Sequence, residues 1–174
     1  MDTNEDLIIN KVAQSGILTL DMQDLAAAAS TAVLDLATLL EEEFILREKR
    51  FREKLEQLDT APYQNAYVAV YCSTDAIIQP WAWMLLMQKL QGTAAQAFLC
   101  HPDELRTRIV LHKIERELNT ADYNDARVII KGCGAAWVTP ECYLQATQKL
   151  LPVVKSLMYG EPCSTVPVYK KKKQ

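Results

Sequence analysis

Short β-type and helix-type segments alternate regularly from residue 66 onward, and this alternation constrains the fold more than any other feature of the chain. Strands joined by helices form βαβ crossovers, in which successive strands run parallel. We therefore predict an α/β fold with a mainly parallel sheet of βα units and helices on both faces, a three-layer sandwich. The predicted strands are 66–71, 96–99, 127–131 and 155–159, and the predicted helices are 80–91, 102–118 and 140–151.

The first 60 residues have a less regular pattern. Thr38 and Glu41 have the spacing of a capping box, which predicts the start of a long amphipathic helix over 38–58. The other predicted elements here are a helix over 4–14, a strand over 17–21 and a β-compatible run over 32–36.

The length of 174 residues fits one domain, because domains usually contain about 100–200 residues. We assign residues 1–168 to a single α/β domain, in which 1–60 supply edge strands and packing helices and 61–168 form the repeated βα core. The lysine run near the end of the chain predicts a disordered basic tail over 169–174.

The composition excludes several classes of protein. The hydrophobic fraction of 49% excludes an intrinsically disordered chain, and no apolar run approaches the roughly 18 residues of a membrane span. A net charge of −3 argues against nucleic-acid binding, which normally needs a basic surface. Residues 1–16 lack the apolar region of a secretory signal, so we expect a cytoplasmic protein whose thiols stay reduced. The residues make no prediction of oligomeric state.

Four of the five cysteines follow predicted strands. Because the carboxyl ends of parallel strands meet at one edge of a sheet, we expect these thiols along the edge where open α/β folds bind ligands. Neighbouring strands are about 4.8 Å apart, a spacing at which two thiolates can share one metal ion. The fifth cysteine, Cys142, falls within a predicted helix and is expected in the core. The four strand-end residues are Cys72, Cys100, Cys133 and Cys163.

Three interpretations of these cysteines stay open. They form a metal site, one of them is a reactive thiol, or all of them are small buried side chains of a structural or interaction module. The chain contains no CxxC pair, so the usual zinc-finger and thioredoxin signatures are absent. The reactive-thiol interpretation favours Cys72, because it precedes a helix whose N-terminus would lower the thiol pKa and which Asp75 is predicted to cap. Such a protein would be a thiol-dependent enzyme that transfers sulfur or acyl groups.

The sequence around the other strand-end cysteines adds two expectations. Cys163 lies in a two-proline segment, residues 161–167, which we expect to be rigid. His101 follows Cys100 directly and is either a ligand or, as we expect, the cap of the helix that begins at Pro102.

Several segments together carry a resemblance to a known family. The most specific is 155–167, KSLMYGEPCSTVP, and the others are 46–49, 51–52, 72–77, 80–82 and 128–133. Together they resemble an uncharacterised bacterial family, domain of unknown function 2480, over most of the chain. The resemblance implies a site of three cysteines, Cys72, Cys133 and Cys163, without Cys100, His101 or Cys142. It also implies an association with iron–sulfur assembly genes of the SUF type.

Three thiolates with an open fourth position suit zinc, iron or a transient iron–sulfur species. Asp75, Glu161 or a water molecule would complete the coordination sphere, and Lys131 and Lys155 would offset the negative charge of the thiolates. Our leading hypothesis is a cytoplasmic accessory protein, not an enzyme, that binds zinc, iron or an iron–sulfur species and works with iron–sulfur assembly proteins.

Overall fold

A computed structural model describes residues 16–132, 134–161 and 163–172 of the chain. The helix predicted over 4–14 lies outside these residues. The strands are β1 (Ile17–Asp21), β2 (Thr31–Asp35), β3 (Tyr67–Tyr71), β4 (Gln96–Leu99), β5 (Arg127–Lys131), β6 (Ser156–Glu161) and β7 (Ser164–Lys170). The α-helices are α1 (Asp24–Ala27), α2 (Glu48–Glu56), α3 (Pro80–Leu90), α4 (Leu105–Arg116) and α5 (Pro140–Leu150). Short 3₁₀ helices occupy Leu36–Leu39, Ala61–Tyr63, Pro102–Glu104 and Thr120–Tyr123.

The strand pairing confirms the α/β class with mainly parallel strands. One sheet has the order β1–β5–β6–β7, and the other has the order β2–β3–β4. Among the described strands, every pairing is parallel except the one between β6 and β7. The strands thus form two sheets where the sequence pattern predicts one. Hydrophobic patterning locates strands, but it does not reveal that Ile17 pairs with Arg127, far along the chain.

The chain divides into two compact units. The central unit is Leu25–Ile109 and contains the sheet β2–β3–β4. The terminal unit combines Met1–Asp24 with Val110–Gln174 and contains the sheet β1–β5–β6–β7. The single-domain prediction did not anticipate this division. Each unit has its own sheet, in which all strands except β7 run parallel, so each presents its own carboxyl edge to a ligand.

The core of the central unit lies on one face of its sheet. Val68 and Val70 project from this face because side chains two residues apart on a strand share a face. Helices α2 and α3 cover them, and Phe51 of α2 meets Trp81 of α3 edge to face at 5.6 Å. The buried members are Leu34, Leu36, Leu39, Leu40, Phe51, Leu55, Val68, Val70, Ala82, Leu86, Leu90 and Ala97.

The long helix predicted over 38–58 is wrong in extent, because only Glu48–Glu56 is α-helical. Thr38 does not cap a helix; its hydroxyl donates a hydrogen bond to the Asp35 carbonyl at 2.7 Å. Residues 42–43 then adopt left-handed φ angles of 51° and 62°, which reverse the chain in a tight turn before the helix begins. Local side-chain bonding and this turn override the helical periodicity of the segment.

The two units share an internal repeat whose equivalent positions lie sixty residues apart. Asn65 and Asp125 show it in the backbone, because both have positive φ angles, of 55° and 50°. The Asn65 N–H donates to the Thr93 carbonyl and the Asp125 N–H donates to the Val153 carbonyl, each at 2.8 Å. These two acceptors are also sixty residues apart. The identical pairs are Leu58/Leu118, Thr60/Thr120, Ala61/Ala121, Tyr63/Tyr123, Ala66/Ala126, Val68/Val128, Pro80/Pro140, Gln88/Gln148, Lys89/Lys149, Leu90/Leu150 and Pro102/Pro162. The units are therefore two variants of one strand–helix–strand–helix–strand module.

In each module, a lysine near the end of the second helix binds the end of the first. Lys89 of α3 donates to the Glu56 carbonyl of α2 at 2.9 Å, and Lys149 of α5 donates to the Ile114 carbonyl of α4 at 2.7 Å. The last carbonyls of a helix lack intrahelical partners and carry partial negative charge. These lysines therefore stabilise the first helix of each module.

We expect Lys149→Met to lower the free energy of unfolding by about 1 kcal/mol, because it removes this charged donor and keeps the aliphatic stem. Urea unfolding followed by circular dichroism measures the change. The matched control is Lys155→Met, which alters an exposed lysine of the same unit and is expected to stay within about 0.5 kcal/mol of the wild type. Equal losses in the two variants would contradict the prediction.

The last strand, β7, forms where the sequence predicts only a rigid two-proline segment. It pairs antiparallel with β6 from Glu161↔Ser164 to Ser156↔Lys170, so only residues 162–163 connect the two strands. Tyr169 and Lys170, which the sequence analysis places in a disordered tail, belong to this strand. The hairpin holds Cys163 at the carboxyl edge of the terminal sheet.

Candidate functional site

Three charged side chains meet at the carboxyl edge of the terminal sheet. They are Asp21 at the end of β1, Lys131 at the end of β5 and Glu161 at the end of β6. The parallel register pairs Asp21 directly with Lys131. The Lys131 ammonium lies 3.0 Å from an Asp21 carboxylate oxygen and 3.9 Å from one of Glu161. The lysine is therefore held between two carboxylates from its two neighbouring strands.

This arrangement stabilises the charged form of Lys131. The hydrogen bond to Asp21 and then the negative charges of Asp21 and Glu161 raise the pKa of Lys131, outweighing the opposing effect of burial. The Lys131 side chain is 30% exposed, and those of Asp21 and Glu161 are 19% and 55% exposed. The edge thus presents a permanently charged ammonium with an exposed carboxylate beside it.

Backbone bonds hold this edge in place. Asp21 accepts a hydrogen bond from the Gln23 N–H at 3.0 Å, and the Met22 N–H donates to the Lys131 carbonyl at 2.9 Å. Gly132 has a φ of +148°, and a Cβ at this position would lie 2.8 Å from the Met22 Cβ. The chain that leads from Lys131 toward Cys133 therefore has room for glycine only.

The predicted cysteines divide between the two units and the undescribed residues. Cys163 is exposed in the β6–β7 connection of the terminal unit, two residues beyond the end of β6. Cys133 stands two residues beyond the end of β5 in the sequence, but it lies outside the described residues. Cys72 belongs to the central unit. The structure therefore describes no geometry that joins the three predicted ligands.

The additional residues predicted around the site also have different locations. Glu161 and Lys131 lie together at the carboxyl edge, as described above. Lys155 precedes β6 and lies at the amino end of that strand. It is about 20 Å of extended strand from Glu161 at the carboxyl end, since a strand rises about 3.3 Å per residue. Lys155 is therefore not part of this edge, and Asp75 belongs to the central unit.

The carboxyl edge of the central sheet is organised by Asp35. One of its carboxylate oxygens accepts hydrogen bonds from the N–H groups of Ala37 and Ser73, each at 3.0 Å. Burial raises the pKa of Asp35, but hydrogen bonds from the Ser73 side chain and from these two N–H groups outweigh it, so the net pKa lies below its ordinary value. Asp35 thereby ties the loop after β3 to the end of β2.

Cys72 lies next to this loop and is half-buried against the central core. Its sulfur is 3.4 Å from the Thr74 hydroxyl, which donates its own hydrogen to the Glu43 carbonyl at 2.8 Å. Because the threonine hydrogen is used there, the thiol of Cys72 is the donor in the sulfur contact.

The activation predicted for Cys72 by a helix N-terminus lacks its structural basis. Helix α3 begins only at Pro80, and the residues between it and Cys72 form no helix. Gln79 occupies the N-cap position of α3, so Asp75 does not cap this helix. The segment predicted as a strand-to-helix turn is a longer loop. Its first residues are held by two hydrogen bonds, from the Ser73 N–H to Asp35 at the end of β2 and from the Thr74 hydroxyl to the Glu43 carbonyl.

Two further cysteines occupy structural positions. Burial, followed by the charge of Glu104, raises the pKa of the Cys100 thiol despite the opposing charge of Arg108. Cys142 is fully buried in α5, as predicted. His101 stands at the N-cap position of the 3₁₀ helix after β4, but its side chain makes no capping bond.

The His101 ring has two other contacts. It lies edge to face with Tyr71 at 5.6 Å, and its Nδ1 is 3.2 Å from an Asp103 oxygen. The capping role predicted for this histidine is therefore wrong.

The position of each cysteine relative to its strand separates two classes. Cys72 and Cys100 come one residue after β3 and β4, at the positions of Gly132 and Gly160 in the internal repeat. Cys133 and Cys163 come two residues after β5 and β6. The first class is buried or half-buried, and Cys163 of the second class is exposed.

Asp21 and Asp35, which organise the two edges, were not predicted from the sequence. Both are the last residues of the first strands of their modules, ILTLD and TAVLD, and each accepts a hydrogen bond from the N–H two residues later. The shared ending of the two strands is the sequence signal that identifies them. Within the part of the chain that the structure describes, no group of three or more His, Cys, Asp or Glu side chains is arranged to hold a metal ion.

The chain belongs to the family described as Protein of unknown function (DUF2480), whose sequence profile matches residues 6–171. This match confirms the resemblance found in the sequence. No curated protein and no solved structure matches the chain. None of the helices in residues 16–132, 134–161 and 163–172 is long and apolar enough to cross a membrane.

Proposed function

We propose that this protein binds a thiophilic metal ion, zinc or iron, or an iron–sulfur species, through Cys133 and Cys163 of the terminal unit. The observation that carries the proposal is the exposed thiol of Cys163 at the carboxyl edge of a parallel sheet, one strand from the end of β5. Ligands of open α/β sheets bind at this edge.

The sequence positions of the two cysteines support a shared ligand. Each follows the end of its strand by two residues, and β5 and β6 are neighbours. Adjacent strands are about 4.8 Å apart, a backbone spacing from which two cysteine side chains can converge on one metal ion with bonds of about 2.3 Å to each sulfur. The exposed carboxylate of Glu161 is an oxygen ligand available in the same connection, and Lys131 offsets the negative charge of the thiolates.

A site of this kind favours a carrier over an enzyme. Few protein ligands and an exposed thiol leave coordination positions open, and metal or cluster transfer to another protein needs such access. We therefore propose an accessory role in iron–sulfur maturation, with iron–sulfur assembly proteins as partners. A cytoplasmic location fits this role because thiols stay reduced there. The acidic composition favours such partners over nucleic acid.

We expect the protein to retain zinc or iron when it is purified without oxygen and without chelator, as measured by elemental mass spectrometry. Cys133→Ser and Cys163→Ser are each expected to lower the metal content by more than about tenfold, because each removes a ligand. Cys72→Ser tests the third cysteine of the predicted set separately. The matched control is Cys100→Ala, a buried strand-end thiol whose replacement leaves the metal content unchanged.

A metal-free wild type that also fails to bind zinc or iron in reconstitution would overturn the proposal. Retention of the metal by both Cys133→Ser and Cys163→Ser would overturn the assignment of its ligands.

A further inference from the structure

An open groove of about 570 Å³ lies between two loops of the central unit. The tight turn before α2 supplies Phe44 and Ile45, and the loop after β3 supplies Asp75 and Ile77. The three apolar side chains are 55%, 42% and 82% exposed. Exposed apolar clusters of this kind mark interaction surfaces. We call this surface the acidic groove; its lining is Phe44, Ile45, Leu46, Asp75, Ala76, Ile77, Gln79 and Trp81.

The rim of the acidic groove is negatively charged. Glu42 and Glu43 are exposed at the tip of the same turn, and Asp75 is exposed on the opposite loop. No ion pair to these three carboxylates is found within residues 16–132, 134–161 and 163–172. The Thr74 hydroxyl donates to the Glu43 carbonyl, which fixes the two loops against each other. The groove is therefore preformed and offers apolar contacts surrounded by negative charge.

The terminal unit carries an apolar surface with the opposite charge. Tyr159 and Val166 are paired directly across β6 and β7, so their side chains share one face of the sheet. Leu144 of α5 and Val168 of β7 line a cavity of about 500 Å³ on the same side as Tyr159. We call this surface the basic patch; its exposed apolar members are Leu144, Tyr159, Val166 and Val168, at 66%, 39%, 61% and 54% exposure.

Positive charge continues directly from this patch. Strand β7 leads from Val168 into the exposed lysines 170–172. Lys171 pairs with Asp125 at 3.8 Å, and the ion pairs of the described residues include neither Lys170 nor Lys172. The patch thus combines an apolar centre with basic residues at one end, which is the complement of the acidic groove.

We propose that this protein associates with a second copy of itself, in which the basic patch of one copy docks into the acidic groove of the other. The apolar residues of the two surfaces form the centre of the contact, and the opposite charges at their rims set its orientation.

The contact uses side-chain packing and not the addition of a strand to β7. Pro167 has no N–H to donate to a neighbouring strand, and prolines and lysines on edge strands oppose pairing between sheets. The free edge of β7 is therefore a poor template for another strand, whereas its apolar side chains remain available for packing.

Analytical ultracentrifugation over a range of protein concentrations tests the proposal. We expect the wild type to self-associate, and high salt to weaken the association because it screens the charged rims. Ile77→Asp in the groove and Val168→Asp in the patch should each weaken it by about thirtyfold or more, as expected at the centre of an interface. Asp75→Lys, which keeps the apolar lining, should weaken it as well.

A mixture of the two single variants distinguishes this contact from others. The Ile77→Asp chain keeps an intact patch and the Val168→Asp chain keeps an intact groove, so the mixture should form mixed pairs at concentrations where each variant alone is monomeric. Met84→Asp replaces an exposed apolar residue outside both surfaces and should leave association unchanged. A wild type that is monomeric at every concentration, a mixture that stays monomeric, or an equal effect of Met84→Asp would overturn the proposal.

Discussion

Gly160→Ala is expected to lower the free energy of unfolding by about 3–4 kcal/mol. Gly160 has a φ of +117°, which side chains rarely permit, and a Cβ there would lie 2.5 Å from the Ser164 carbonyl oxygen. One of the two strands, β6 or β7, must therefore move away from the other. Because Cys163 lies in the connection between these strands, the substitution should also increase the rate at which this thiol reacts with a maleimide.

A second glycine separates the two causes of this loss. Gly92 has a φ of +78° but open space where its Cβ would lie. Gly92→Ala therefore incurs only the cost of the backbone conformation, about 1 kcal/mol. Urea unfolding of both variants gives the comparison. Equal losses would show that the close approach to Ser164 does not govern the first result.

Asp35→Ala is expected to lower the free energy of unfolding by about 2–3 kcal/mol. The carboxylate accepts two backbone hydrogen bonds, one that caps the 3₁₀ helix after β2 and one that holds the loop after β3. Removing it leaves the N–H groups of Ala37 and Ser73 without this acceptor. Asp35→Asn keeps an acceptor oxygen and should recover part of the loss. Thermal or urea unfolding at neutral pH measures the difference.

The effect of Asp35 should depend on pH in a defined direction. Its pKa in the folded protein lies below the ordinary value of 3.8, so the unfolded chain binds a proton more readily. The contribution of the charge is therefore fully present above that value and is lost as the pH falls through the lower, folded pKa. The difference in stability between wild type and Asp35→Asn should shrink across this acidic range. Asp75→Ala, an exposed carboxylate of the neighbouring loop, is the control and should have little effect at any pH.

The sequence identifies the buried strands of this fold because each is a short apolar run bounded by turns. The strands Gln96–Leu99 and Arg127–Lys131 have the predicted bounds. The strand Ser164–Lys170 was missed, because prolines flank and interrupt it and its outward-facing edge tolerates Pro167. The division into two sheets was missed as well, since strand partners depend on contacts between distant parts of the chain.

The residues of the candidate site could likewise be predicted only in part from the sequence. Lys131 could be placed near the carboxyl edge from the end of its strand, but its partner Asp21 lies on a strand that precedes the whole central unit. The four strand-end cysteines look equivalent in the sequence, with spacings close to one strand–helix unit. A difference of one residue in where each strand ends separates Cys72 and Cys100 from Cys163, and pattern-based strand ends are too imprecise to resolve it.

The position of the central unit within the chain has a consequence for biosynthesis. All three strands of the central sheet lie between Thr31 and Leu99, so every segment that its strand pairing needs is synthesised before α5. Strand β1 precedes the central unit in the chain but gains its partner only after Arg127–Lys131 is made. Contacts between distant segments form late and slowly. During synthesis β1 therefore stays without its parallel partner until β5 is made, and we expect chaperone contacts with the nascent chain at Ile17–Asp21.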